Sequence, residues 1–86
     1  MNTMNPRVNK IVEIDFPFLA LQFTNDEIRR FSCEPYLHIG VFKELQDKRY
    51  FSKAVVSEGT VVWPHEQDFC PDTLYLESKA VEQATV

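Results

Sequence analysis

Phe18-Leu19-Ala20-Leu21-Gln22-Phe23-Thr24-Asn25-Asp26-Glu27-Ile28-Arg29-Arg30-Phe31 decides the fold. Its first six residues alternate. Leu19, Leu21 and Phe23 share one face, and Phe18, Ala20 and Gln22 share the other, which is the period of a β-strand. Thr24-Asn25-Asp26 is a turn, because Asn and Asp tolerate positive φ and bond their own backbone. Ile28–Phe31 then returns as a second strand. The stretch therefore predicts a tight antiparallel hairpin with one strongly apolar face.

Working outward, Val8–Ile14 is β-branched and reads as a preceding strand. Strict alternation places Val8, Lys10, Val12 and Ile14 on one face. Asp15-Phe16-Pro17 ends it, since proline removes a ladder donor. On the other side the period changes. Pro35-Tyr36-Leu37 suggests a helical turn with proline in its first position, and Gly40 is a candidate left-handed residue. Val41–Gln46 and Lys48–Lys53 read as short helical pieces, with Asp47 as N-cap of the second. Ala54–Ser57 and Thr60–Trp63 read as strands around a Glu58-Gly59 turn. Pro71–Ser78 reads as a last helix, with Pro71 at its start and Asp72 in its first turn.

The order βββ-α-ββ-α indicates a two-layer α+β domain built on an antiparallel meander. One domain is expected over residues 1–78, and residues 79–86 are expected to form a flexible tail. The chain has 86 residues, and so short a chain buries only about 60 % of its unfolded surface. Seven Phe, three Tyr and one Trp compensate with large buried areas.

The net charge of −4 argues against a phosphate-binding surface, so direct nucleic-acid binding is not expected. The closest basic patch, Lys43, Lys48, Arg49 and Lys53, is interrupted by Glu44 and Asp47 and reads as a solvated face. No apolar run approaches the roughly 20 residues of a membrane span. Two cysteines are too few for a disulfide scaffold, and no signal peptide precedes them, so a cytoplasmic protein with reduced thiols is expected.

Several blocks together carry a family resemblance. These are Asn25–Phe31, then Pro35-Tyr36-Leu37 with Gly40, Phe42, Leu45 and Asp47. Gly59-Thr60-Val61 with Trp63-Pro64 follows, and Asp68 with Pro71, Leu74 and Tyr75 closes the set. In order and spacing the chain resembles the bacterial family known as domain of unknown function 2442, over nearly everything from Met4 to Tyr75. Asp26 departs from it, since a hairpin glycine is more typical there, and the His65 and Cys70 region lies outside the pattern. The resemblance implies the same βββ-α-ββ-α arrangement. Some members carry a C-terminal helix-turn-helix domain, whose counterpart is expected to be absent from a chain ending at Val86. Others resemble partners in small toxin–antitoxin-like gene pairs. The resemblance thus implies an interaction module.

Motifs for chemistry are sparse, and no enzyme is expected. Cys33 and His38, with His65 and Cys70, form two mirror-spaced pairs of zinc-type ligands. The four-residue gap is not a common tight spacing, so two ordinary thiols and two surface histidines are expected. His65-Glu66 with Asp68, next to Trp63-Pro64, resembles a small acid–base cluster without a nucleophile. Asp68 is expected to bond backbone N–H groups of the loop or of the start of the last helix. Cys70, just before a helix, is the better-placed thiol, but an inert thiol is expected.

Arg29 and Arg30 point to opposite sheet faces. One is expected to sit against the helices and pair with an acid such as Asp47 or Asp68, and the other to be exposed; the ordinary reading of the pair is structural, and the functional one is a partner-facing arginine. Trp63, Tyr36, Tyr75 and Phe42 are expected in the core. The candidate functional set is therefore Arg29, Arg30, Trp63, His65, Asp68 and Tyr75, with no cofactor. The first reading is a protein-interaction or regulatory module that binds another small protein or a second copy of itself. The alternative is a small ligand-binding or enzymatic domain that uses the His65–Asp68 loop.

Overall fold

The expected hairpin forms. A computed structural model describes residues 5–81. Strand β2 (Phe18–Phe23) pairs antiparallel with β3 (Ile28–Ser32), setting Leu19 opposite Phe31 and Leu21 opposite Arg29. Leu19, Leu21, Phe23 and Phe31 are all fully buried. Each such side chain contributes about 1.5–3 kcal/mol on leaving water. At the turn Asp26 takes φ +70°. The Asn25 side-chain carbonyl accepts the Glu27 N–H at 3.1 Å. Asp is among the few non-glycine residues that enter this region readily, so the departure from glycine leaves the turn intact.

Strand β1 (Val8–Asp15) pairs with β2, but not in simple alternation. The register shifts between Val8 and Lys10 and again between Ile11 and Glu13. Each shift adds a residue to one strand. The inward set becomes Val8, Ile11 and Ile14, while Val12 is left 46 % exposed. The expected grouping of Val8, Lys10, Val12 and Ile14 is corrected accordingly.

Beyond β3, a 3-10 turn at Glu34–Tyr36 carries Pro35 at its start. A 3-10 stretch at Gly40–Gln46 begins at Gly40 with φ +47°. Helix α1 (Lys48–Phe51) is capped by Asp47, whose carboxylate accepts the N–H groups of Arg49 at 2.9 Å and Tyr50 at 3.4 Å. Strands β4 (Val55–Ser57) and β5 (Thr60–Val62) form a separate two-stranded hairpin. Its turn uses Gly59 at φ +80°, where an added Cβ would meet the Arg7 side chain at 3.0 Å. The Gly59 carbonyl accepts the Val8 N–H at 2.9 Å, which ties this hairpin to β1.

Helix α2 (Pro71–Leu76) follows, and then β6 (Lys79–Ala80). The tail expected from residue 79 begins instead with this strand, which pairs with Arg29 and Arg30. β3 offers an open edge there, and the short link from α2 delivers the chain to it. Residues 1–4 of the expected domain and 82–86 of the expected tail lie outside the described residues. The main sheet runs β1-β2-β3-β6 and is antiparallel throughout. The α+β class and the strand–helix order agree with the sequence pattern.

Phe69 joins the layers. Its ring lies 5.1 Å from Phe31, 5.1 Å from Tyr36, 4.7 Å from Phe42 and 5.9 Å from Trp63. Phe69→Ala should therefore cost about 3–5 kcal/mol in urea unfolding. Val12→Ala should stay within about 0.5 kcal/mol. An equal loss for Val12→Ala and Ile14→Ala would contradict the bulged register.

Candidate functional site

Arg29 and Arg30 point to opposite faces, as the strand requires. The Arg29 side chain is only 17 % exposed. Its guanidinium donates to the Ser78 hydroxyl at 2.8 Å and the Ser78 carbonyl at 2.7 Å. It also pairs with Glu27 at 3.2 Å and lies 4.5 Å over the Tyr75 ring. The Tyr75 hydroxyl donates to Glu27. These four residues clasp the end of α2 to β3. The acid is Glu27 and not Asp47 or Asp68, because α2 ends above the β2–β3 turn. The Tyr75 and Asn25 hydrogen bonds hold the Glu27 carboxyl below the usual carboxylate range. The same bond to Glu27 pushes the Tyr75 hydroxyl up.

The proposed acid–base loop is built differently from its sequence appearance. Trp63 is core, and its indole N–H donates to the Phe51 carbonyl at 2.9 Å. His65 lies at the surface, where its ring stacks on Tyr50 at 5.2 Å and its Nδ1 sits 2.7 Å from Glu44. The hydrogen bonds from His65 and then Gln67 hold Glu44 below the usual carboxylate range. Asp68 bridges to Val62 through its backbone. Its carboxylate takes up no backbone N–H of the loop or of α2 among the described residues, so the expected brace is corrected.

The brace is Gln67, a residue with little to mark it in the sequence. This buried amide accepts from the Tyr50 hydroxyl and donates to Glu44 at 2.8 Å and to the Val41 carbonyl at 3.2 Å. The one signal for it is its place two residues before Phe69, in the same inward register. Glu44 also borders a polar surface cleft of about 500 Å³, with Asp47, Arg49, Tyr50, Ser52 and Lys53.

Cys33 is buried and Cys70 exposed, both as free thiols. Burial pushes the Cys33 thiol up to about 12, away from thiolate chemistry. Among the described residues, no three His, Cys, Asp or Glu side chains converge as metal ligands. Cys33, His38, His65 and Cys70 are not brought together.

Exposed apolar side chains lie at Ile39, Val41, Val55 and Leu76, and a further surface is the outer face of the main sheet. Register places Asp15, Phe18 and Ser32 in one row across it. Glu13, Ala20, Arg30 and Lys79 form the next row, and Lys10, Gln22 and Ile28 the third. Phe18, Ala20, Gln22, Ile28 and Ser32 are half-buried, and none joins the core. Arg30 lies 4.2 Å over the Phe18 ring and pairs with Asp15 at 3.1 Å. A shallow groove of about 170 Å³ runs beside it, lined by Phe18, Arg30, Ser32, Glu77 and Lys79. The Tyr36 hydroxyl donates to Glu77, and that bond with partial burial raises Tyr36 to about 12.

Carboxyls held low in the folded state add stability that is present above their ordinary range and lost as pH falls through the lowered value. Acid should therefore loosen the Glu27 clasp and the Glu44 contacts. Glu27→Gln and Tyr75→Phe should each flatten the acid limb of a stability–pH curve. Wild-type slopes in both variants would show that the clasp contributes nothing.

No helix of the described residues is long and apolar enough to cross a membrane. No curated protein and no solved structure matches the chain. The family described as protein of unknown function (DUF2442) matches residues 11–80, a span that runs from β1 through β6. The chain belongs to that family.

Proposed function

We propose that the chain is a non-enzymatic protein-interaction module that works through the outer face of the β1-β2-β3-β6 sheet, in a regulatory, antitoxin-like role with another small protein or a second copy of itself. The observation that carries this reading is the Phe18–Arg30–Asp15 arrangement, on a sheet face whose described residues give nothing to the core. Aromatic rings and arginines dominate binding energy where they are desolvated by a partner. Arg30 is already oriented by Phe18 and Asp15, so little side-chain freedom remains to be lost on binding. The free thiols of Cys33 and Cys70 support a cytoplasmic setting.

A second reading is a ligand-binding or enzymatic domain at the His65–Asp68 loop. In its favour, Glu44 both orients His65 and borders the polar cleft. Against it, Trp63 is committed to the core.

Co-expression with the product of the adjacent gene separates the two. Wild type should retain that partner through purification, Arg30→Glu should lose it at least tenfold, and His65→Ala should retain it. Circular dichroism would establish that each variant is folded. Equal retention by Arg30→Glu and wild type, or no partner at all at micromolar concentration, would contradict the first reading.

A further inference from the structure

The outer face is self-complementary, and we propose that its occupant is a second copy of this chain, related by a two-fold axis running along β2 between facing sheets. This rests on the reading of that face as an interaction surface and names its partner.

Charges are ordered across the sheet. The acids Glu13 and Asp15 face outward on β1, with Lys10 in the row beyond them, and on the opposite side Arg30 on β3 stands directly beside Lys79 on β6, with Glu77 at the groove between them. Between them β2 presents Phe18, Ala20 and Gln22, which carry no charge. An isologous contact requires that whatever residue i meets on its partner also meets i.

A two-fold axis along β2 satisfies this rule. It lays β1 of each copy over β3 of the other, so Glu13 meets the Arg30 of the second copy and its own Arg30 meets the second Glu13. Phe18 and Ala20 lie on the axis against their own counterparts. Lys10 falls over Ile28, where its methylene stem can cover the apolar side chain while the ammonium stays in water. An axis across the strands through the Ala20 row instead sets Arg30 over Arg30 and Glu13 over Glu13. Like charges in contact reject that arrangement.

The sheet edges are poor competitors for self-association. β6 has two residues, and β1 carries two register shifts that disturb its free edge. Short edge strands and bulges both discourage edge pairing.

Size sets the expected strength. Three strands about 4.8 Å apart, each contributing about 20 Å of length, with the two residues of β6 beside them, give a face on the order of 300 Å² in plan. A standard interface takes about 800 Å² from each partner. The dimer should therefore be weak and concentration-dependent, forming in the micromolar range or above.

Sedimentation equilibrium tests the geometry with two charge reversals. Wild type should dimerise reversibly. Glu13→Arg and Arg30→Glu should each weaken self-association at least tenfold, because each homodimer then opposes like charges. An equimolar mixture of the two variants should dimerise again. In that mixed dimer, positions 13 and 30 are both acidic on one copy and both basic on the other, so every facing pair is of opposite charge. The double variant E13R/R30E should also dimerise. Wild type that stays monomeric up to about 1 mM would overturn the proposal, since a Kd weaker than that is no specific complex. If Arg30→Glu nonetheless abolished retention of the adjacent gene product, the interaction reading would stand without the dimer. A wild-type dimer that neither reversal weakens would remove the proposed interface, and a mixture that failed to associate would remove the two-fold geometry.

Discussion

Phe69 lies at the meeting point of the sheet, the two 3-10 segments and the second hairpin, through Phe31, Tyr36, Phe42 and Trp63. In a chain of this length the core has little redundancy, so this ring carries much of the contact between the layers, beside Phe16–Phe51 and Phe23–Tyr75. The Thr60 hydroxyl donates to the Phe69 carbonyl, so the backbone at this point is held as firmly as the ring. Gln67 sits two residues earlier and ties the same loop to Tyr50, Val41 and Glu44. The loop that most resembles a chemical site in sequence is thus the loop that closes the core.

Closing the core from one side leaves the sheet with unequal faces. Leu19, Leu21, Phe23 and Phe31 are consumed by packing, while Phe18, Ala20, Ile28 and Arg30 are not. The adjacent arginines show the division within two residues. Arg29 is fixed between Tyr75, Ser78 and Glu27, and its role is to hold α2 against β3. Arg30 is spread over Phe18 in open solvent. The role proposed for the outer face follows from this asymmetry, since the polar groups of the inner half are already satisfied by one another.

Much of this is legible in the sequence because the signals are local. The β2–β3 hairpin follows from alternation and the Asn25-Asp26 turn. The Asp47 cap, the Gly59 turn and the Pro71 helix start each need only a few neighbouring residues. What escapes a sequence reading is set by pairing at a distance. The shifts in β1 arise from its register with β2, and nothing within Val8–Asp15 announces them. β6 exists because β3 offers an edge to Lys79 and Ala80, which in isolation have no strand character. Glu27 becomes the partner of Arg29 only once α2 is placed above the turn. Of the candidate residues, Arg29 and Tyr75 are structural and Trp63 is core. His65 pairs with Glu44, Asp68 contributes only backbone, and Arg30 alone stands on a face without an assigned structural load.

If the outer sheet face is where a second copy of this protein docks, the contact should be visible residue by residue. Amide and methyl chemical shifts followed as the protein is concentrated test this most directly. Concentration-dependent shifts confined to Glu13, Phe18, Ala20, Ile28, Arg30 and their neighbours are expected. Shifts that gather around Glu44, Tyr50 and His65, or spectra that do not change with concentration, would contradict it.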